Sequence, residues 1–222
     1  MKLLKSALAV FPFLVACSFS SGNIQSKQAN DLEARRIRRI AVIPPVLPPA
    51  SVAAKSPLPG VPSEKKTEAQ GPDEVLYRLV YSAMVAMPTW QIISESEVRD
   101  AAHSVAPTGD ATRLKRIGEL VYADAVIAPR VLRYRERVGG DIGVKSPASV
   151  AFIVDLVDVH RGDVVWSARF DETQKGLSEN ILALGDIRER GIRWLTAEQL
   201  AQDGVRKVVQ QLHQAIVHGR AS

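Results

Sequence analysis

SVAFIVDLVDVHRGDVVWSARF, residues Ser149 to Phe170, joins a nearly continuous apolar run to a clear turn. Ser149 to Val159 is rich in β-branched residues, a pattern typical of a strand buried on both faces. His160-Arg161-Gly162-Asp163 supplies turn residues, and Val164 to Phe170 follows as a second strand. The stretch therefore predicts an antiparallel hairpin whose first strand is central in a sheet.

Three more strands are predicted upstream of this hairpin. Ile37 to Ile43 and Trp90 to Ile93 are short apolar runs, and Ala125 to Val138 is a long one. Pro129 lies inside the long run, where it predicts an edge or a bulge because proline lacks an amide hydrogen.

Four helices are predicted around the strands. Apolar spacing of three and four residues indicates helices over 73–87, 94–104, 110–122 and 196–218. Ser94 with Glu97, and Thr196 with Gln199, are capping pairs at two of the starts. The element order predicts an α/β (α+β) fold, a single domain with a mixed parallel/antiparallel sheet flanked by helices.

The first strand is followed by a proline-rich excursion. Pro44 to Pro72 carries eight of the thirteen prolines, and proline both fixes φ and removes a donor. A disordered or extended segment is expected, as either a partner-binding arm or a plain surface loop. A second stretch with little pattern runs from Asp171 to Trp194.

The first residues have the pattern of an export signal. Lys2 and Lys5 precede a short apolar run, and Leu14-Val15-Ala16 leads into Cys17, the single cysteine of the chain. This arrangement resembles the lipobox of bacterial lipoproteins. An ordinary signal peptide beside a chance cysteine is the alternative. The predicted organisation is a signal peptide at 1–16, a lipidated tether at 17–36 and a globular domain at 37–222, with the proline-rich loop at 44–72.

The lipobox resemblance implies a place in the cell. Cys17 would carry several acyl chains, and two or more such chains anchor a protein stably to a bilayer. Ser18 stands where an aspartate would favour retention in the inner membrane. The implied location is the outer membrane, lipid-anchored, on the periplasmic side.

The folded part also resembles a known group of envelope domains. The group includes the amino-terminal domain of the Tol-system propeller protein, the curli secretion lipoprotein and the penicillin-binding-protein activator lipoprotein. The shared pattern falls on Ala123, Asp124, Asp158, Gly162 and Trp166. A similar set of uncharacterised bacterial lipoproteins shares PASVAFIVDLVD, FDETQ and LSENI. The resemblance implies a fold and an envelope setting, but no activity.

No catalytic, metal or cofactor motif is found. The four histidines have no ligand spacing and are expected on the solvated surface, and no cofactor is predicted. Asp155 and Asp158 lie three apart on one strand, so they should face opposite ways and be neutralised by Arg130, Arg133 or Arg169. The formal net charge of +5 gives no indication of nucleic-acid binding.

A basic cluster precedes the first predicted strand. Arg35, Arg36, Arg38 and Arg39 are candidates for contact with an anionic membrane surface. The alternative is that these charges keep an exposed strand edge from aggregating.

The sequence thus predicts a membrane-anchored, non-enzymatic lipoprotein that binds another envelope protein. Its candidate contact surfaces are Pro44–Pro72 and Asp171–Trp194, because binding tends to reside in loops. A domain that binds lipid or peptidoglycan fragments is the alternative, and it requires an apolar pocket with converging polar groups. An enzyme ranks third.

Overall fold

The computed structural model describes residues 23–45, 71–106, 110–140, 144–174 and 194–218. The strands are β1 (Ile24–Gln28), β2 (Arg39–Val42), β3 (Gln91–Ile92), β4 (Ala125–Arg135), β5 (Val138–Gly139), β6 (Val144–Ser146), β7 (Ser149–Asp158) and β8 (Val164–Thr173). The helices are α1 (Pro72–Val85), α2 (Glu95–Ser104), α3 (Asp110–Leu120) and α4 (Ala197–His218). A short 3-10 helix, Glu33–Arg35, lies between β1 and β2.

The main sheet is mixed, which confirms the predicted fold class. Its strand order is β1-β8-β7-β4-β2-β3, while β5 and β6 form a separate two-stranded ribbon. Strand β2 is parallel to β3 and β4, and the other pairs of the main sheet are antiparallel. The predicted hairpin is β7–β8, and β7 occupies a central position between β4 and β8.

Helices cover both faces of the sheet. On one face α1 and α4 pack over the larger core, where Phe152 of β7 stacks on Phe170 of β8 at 5.1 Å between ring centroids. On the other face α2 and α3 cover a smaller apolar cluster that includes Ile93, Ile117 and Val126. The helix periodicity predicted these apolar faces correctly.

Strand β4 explains the position of Pro129. Strand β2 pairs only with Ala125 to Ile127, so within the described residues β4 has no partner on that side from Pro129 onward. The missing amide hydrogen of Pro129 therefore falls where the ladder has ended. A register shift follows between Val131 and Arg133. The predicted edge is confirmed locally at Pro129, while the bulge lies between Val131 and Arg133 and not at the proline.

The predicted tether is wrong from Ile24 onward. Residues Ile24 to Gln28 form β1, which pairs antiparallel with β8 and covers its outer side. Ile24 and Leu32 are buried in the larger core. Burial of these two apolar side chains and the ladder hydrogen bonds bring this segment into the domain, so the domain starts before residue 37. The second strand is also shorter than predicted, Arg39–Val42 rather than Ile37–Ile43.

Gly118 allows α3 to lie close to the sheet. A Cβ at this position would lie 2.9 Å from Cγ2 of Val126 and closer still to a methyl of Val159. Alanine usually stabilises a helix relative to glycine by about 1 kcal/mol. Here we expect Gly118→Ala to destabilise the domain by about 1–3 kcal/mol, because the added methyl overpacks the helix–sheet contact. Urea unfolding monitored by circular dichroism measures the effect.

The control for this substitution is Gly140→Ala, outside the helices. A Cβ at Gly140 has no heavy atom within 4 Å. The control should leave the free energy of unfolding within about 0.5 kcal/mol of the parent. Equal stabilities for the two variants would refute the close approach of α3 to the sheet.

Candidate functional site

A cleft of about 650 Å³ opens at the carboxyl end of β2. Pro44 and Pro45, which follow β2, form one part of its wall, and Gly71, which precedes α1, forms another. Both ends of the proline-rich excursion therefore border the cleft. A volume of this size falls within the range typical of ligand sites, about 300–1,000 Å³.

The lining of the cleft is mainly apolar, with charged groups of both signs. Its apolar members come from α3, β4, β7 and β8 and from the residues that follow β2, and they are Ile43, Pro44, Pro45, Ala111, Leu114, Ala128, Pro129, Val131, Val157 and Val164. Its charged members are Asp73, Glu74, Arg113, Arg130 and Asp155. Val164 has 54% of its surface exposed, so an apolar side chain at the cleft remains open to solvent.

The charged groups of the cleft are held in place by neighbours. Arg130 Nη2 donates to Asp155 Oδ2 at 2.8 Å, and Ser167 Oγ donates to Asp155 Oδ1 at 2.6 Å. Arg99 Nη2 donates to Glu74 Oε1 at 2.9 Å. The other oxygen, Glu74 Oε2, is buried with no hydrogen-bond partner in the part of the chain that the structure describes. Such an acceptor is able to receive one more hydrogen bond.

The predicted neutralisation of Asp155 is confirmed, with Arg130 as its partner. Arg133 and Arg169 instead bind Asp171 of β8. Hydrogen bonds from Arg169 and Arg133 hold the pKa of Asp171 below its ordinary value. These pairs lie on the sheet face opposite α1 and α4, beyond the area covered by α2 and α3.

The prediction for Asp158 is wrong, because its cationic partner is Arg35. Arg35 Nη1 donates to Asp158 Oδ2 at 3.1 Å and to Asp163 Oδ1 at 2.7 Å, and Arg35 Nη2 donates to Asp31 at 3.0 Å. The side chains of Arg35 and Asp158 are only 7% and 8% exposed. We call these four residues, Asp31, Arg35, Asp158 and Asp163, the Arg35 cluster. The cluster ties the segment after β1 to the β7–β8 turn.

Because its side chain is buried in this cluster, Arg35 is not available for contact with a membrane surface. Hydrogen bonds with Arg35 hold the pKa values of Asp31 and Asp163 below the ordinary range. The hydrogen bond to Asp163 is the main cause that raises the pKa of the Arg35 guanidinium. Arg35 is therefore a structural cation, fixed by three carboxylates.

The other three arginines of the predicted cluster lie at the start of β2. Arg36 and Arg38 are exposed, and Arg39 is partly exposed. Arg39 Nε donates to the Tyr122 carbonyl oxygen at 2.9 Å, and the backbone amides of Arg38 and Arg39 both donate to Asp124 Oδ2 at 2.8 Å. These contacts bring the basic residues next to the end of α3.

One histidine departs from the prediction of a solvated surface position. His213 of α4 is partly buried, with its Nε2 at 2.7 Å from Thr89 Oγ1 and its ring edge-on to Trp90 at 5.7 Å. His103 and His160 are exposed as predicted. Across the described residues no group of three or more His, Cys, Asp and Glu side chains is arranged to hold a metal ion.

Several predicted sites lie outside the described residues. They are Cys17, most of the proline-rich excursion (46–70) and most of the Asp171–Trp194 stretch (175–193). Of the helices within the described ranges, none combines the length and the apolar character that crossing a bilayer requires. The cleft could not be predicted from the sequence. It forms where β2 ends beside β4, and this contact between distant segments leaves no local sequence pattern.

Taken together, the described residues define an α+β domain with an apolar cleft at one end of a mixed sheet. No family model and no curated relative matches the chain. Three similar solved structures are a PelC dodecamer from Paraburkholderia phytofirmans, lipoprotein GNA1162 from Neisseria meningitidis and the LpoB C-terminal domain from Salmonella enterica.

These structures are distant from the chain in sequence and shape. PelC is 16% identical over 85% of this chain and 96% of its own, with a TM-score of 0.47. GNA1162 is 15% identical over 69% and 98%, with a TM-score of 0.38. The LpoB domain is 16% identical over 44% and 67%, with a TM-score of 0.32. The structural neighbours of the chain thus include a protein named as a lipoprotein.

Proposed function

We propose that this chain is an outer-membrane lipoprotein whose periplasm-facing domain binds another protein of an envelope assembly, without catalysing a reaction. One observation carries the proposal: the apolar cleft lies where the proline-rich excursion leaves and rejoins the domain. The residues that flank the excursion, Pro44, Pro45 and Gly71, are part of the cleft wall. Lipidation of Cys17 supplies the anchor in this proposal.

The composition of the cleft suits a polypeptide partner. Interface cores are apolar and contain few charges, while polar groups at the rim fix the register of the partner. The cleft has apolar walls from four elements and from the residues that follow β2, and its charges include both signs.

A second candidate is a ligand site for lipid or peptidoglycan fragments. The same cleft favours it, because Arg113 lies within an apolar lining, and arginine binds carboxylates or phosphates. Binding of a purified muropeptide or phospholipid to the isolated domain, measured by calorimetry, would favour this candidate. A partner protein whose binding is unaffected by those compounds would count against it.

Substitution at the cleft mouth tests the proposed protein contact. We expect Val164→Glu to reduce recovery of the crosslinked partner at least tenfold, because it places a charge where an apolar side chain meets the partner. Tagged lipoprotein is crosslinked in intact envelopes, purified and analysed by quantitative mass spectrometry. Since Val164 is exposed, the substitution should leave the fold intact, which thermal unfolding checks.

The matched control is Val85→Glu. Val85 is 55% exposed, close to the 54% of Val164, and it ends α1 outside the cleft lining. The control should recover the partner at the parent level. Equal recovery with both variants would contradict the cleft as the contact site, and recovery of the lipoprotein alone under several growth conditions would contradict the function.

A further inference from the structure

An exposed aromatic and basic patch lies at the opposite end of β2 from the cleft. It consists of Arg36, Arg38, Arg39, Leu120 and Tyr122, and we call it the Tyr122 patch. Tyr122 is 81% exposed and Leu120 is 44% exposed, although both are large apolar side chains. The hydrogen bond from Arg39 Nε to the Tyr122 carbonyl oxygen joins the two parts of the patch.

The backbone of Tyr122 is in a conformation that disfavours tyrosine. Its φ is +53°, in the left-handed region. Tyr122 follows α3 as part of a Schellman motif, in which the Ala123 amide donates to the Gly118 carbonyl oxygen at 2.9 Å and the Tyr122 amide donates to the Glu119 carbonyl oxygen at 3.3 Å. Glycine is the preferred residue at this position. A tyrosine here gains little from packing, because most of its side chain is in solvent.

The basic residues of the patch are available for contact. The guanidinium groups of Arg36 and Arg38 are exposed, and no side-chain partner holds them among the described residues. Arg36 is also left-handed, with a φ of +49°. The nearby carboxylates are engaged, since Asp124 accepts two backbone amides and Glu119 pairs with Arg116.

The structure removes the alternative explanation for these arginines. Protection of an exposed strand edge would require β2 to lie at the side of the sheet. Strand β2 is paired on both sides, with β4 and β3. The charges therefore do not protect an edge of β2.

We propose that the Tyr122 patch rests on the anionic headgroups of the membrane that holds the lipid anchor. Tyrosine is enriched at membrane interfaces, where its ring and hydroxyl meet apolar and wet regions at once. Each arginine near an anionic bilayer contributes about 1 kcal/mol, which is about fivefold in the contact equilibrium. The inference rests on the proposed lipidation of Cys17.

The short connection to the anchor favours this contact. Because β1 begins at Ile24, only the residues from 18 to 23 separate Cys17 from the sheet, and six residues span at most about 22 Å. Ile24 pairs with Phe170 of β8. Phe170 lies about 20 Å along β8 from Val164, and Val164 is at the end of β8 that is nearer to the patch. Strands β1 and β2 lie on opposite sides of β8, β7 and β4 in the sheet, so the patch meets the headgroups when the strands lie along the membrane with the face that carries α2 and α3 turned towards it.

Fluorescence quenching on vesicles tests the proposal. Lipidated full-length mature protein carrying Tyr122→Trp is reconstituted into phosphatidylethanolamine–phosphatidylglycerol vesicles that contain brominated lipid. The added indole emission, obtained by difference from the parent, should be quenched by more than half. A matched variant, Gln210→Trp, places an indole at an exposed site on α4, which covers the opposite face of the sheet from α3, and should not be quenched.

Charge removal supplies the second measurement. Adding Arg36→Gln, Arg38→Gln and Arg39→Gln should weaken the contact roughly a hundredfold and abolish the quenching of the indole at position 122. Neutral phosphatidylcholine vesicles should have the same effect. Quenching that persists in either case would overturn the electrostatic contact. Equal quenching at positions 122 and 210 would overturn the assignment of the patch.

The outcomes separate this inference from the anchor. If the mature protein does not float with vesicles at all, the lipid anchor fails. If it floats but the indole at position 122 is not quenched, the patch fails and the anchor stands, and a protein partner would then be the occupant of this surface.

A stability measurement completes the test. Tyr122→Gly should raise the Tm by about 2–4 °C, because glycine accepts the left-handed backbone, while it reduces vesicle contact. A fall in the Tm would show that Tyr122 serves the fold, and undiminished vesicle contact would show that its ring does not meet lipid. The contact of Tyr122→Gly is measured by hydrogen exchange at residues Leu120 to Asp124 on vesicles.

Discussion

Replacing Arg35 by methionine is expected to destabilise the domain by about 3 kcal/mol. The guanidinium binds three carboxylates, and its side chain and that of Asp158 are almost fully buried. Methionine fills a similar volume but leaves Asp158 with only the Arg161 backbone amide as a donor in the described surroundings. An uncompensated buried carboxylate is the main source of the loss. Urea unfolding of the purified domain measures it.

The control for this prediction is Arg161→Met. Arg161 pairs with Asp31 of the same cluster, but its side chain is 65% exposed. Surface pairs of this kind contribute about 0–1 kcal/mol, so the control should be nearly neutral. A loss below about 1 kcal/mol for Arg35→Met would mean that the cluster does not fix the segment after β1.

The pH dependence of the same pair of proteins gives an independent check. In the parent, Arg35 lowers the pKa values of Asp31 and Asp163 below their ordinary value of 3.8, so the ionised forms stabilise the fold above that pH. This contribution is lost as the pH falls below 3.8 through the folded-state values. In Arg35→Met the clustered carboxylates repel one another, so its stability should increase as the pH falls from about 7 towards about 4. Equal pH profiles would contradict the cluster.

Arg35 also illustrates why the candidate sites were harder to predict than the fold. The helices and the β7–β8 hairpin follow from local patterns, in which neighbouring residues carry the signal. The partners Asp158 and Asp163 of Arg35 lie 123 and 128 positions away in sequence. Only Asp31 is local, four residues before it. A run of arginines therefore gave no indication that one of them is buried while the next is exposed.

Strand β1 was missed for a related reason. Four of its five residues, Gln25 to Gln28, are polar, and only Ile24 is fully buried. An edge strand with one apolar anchor has too little alternation to be recognised without its partner. That partner, β8, lies some 140 positions later in the chain. The pairing of β1 with β8 is thus a tertiary contact, and a local sequence pattern carries no signal for it.

Cys17→Ala is expected to abolish incorporation of labelled fatty acid completely and to leave the precursor uncleaved. The thiol is the group that takes the diacylglyceryl modification in lipobox proteins, and a methyl side chain has no nucleophile to replace it. Without acyl chains, each of which gains about 0.8 kcal/mol per buried CH₂, the protein loses stable membrane attachment. Metabolic labelling followed by fractionation of the envelope measures both effects.

The position of β1 adds a second test of the lipid anchor, in which the length of the connection after Cys17 is changed. A tether running to residue 36 would let the domain sample distances of up to about 70 Å from the bilayer, whereas a connection that ends at residue 23 limits it to about 22 Å. Insertion of fifteen Gly-Ser residues after residue 20 should therefore leave labelling intact and still weaken contact of the Tyr122 patch with lipid, because the effective concentration of the domain at the surface falls.

Ser18→Ala is the matched control for Cys17→Ala at the lipobox and should be labelled like the parent. Labelling that persists in Cys17→Ala would refute the anchor, and an insertion variant with undiminished lipid contact would show that the patch binds without help from the short connection.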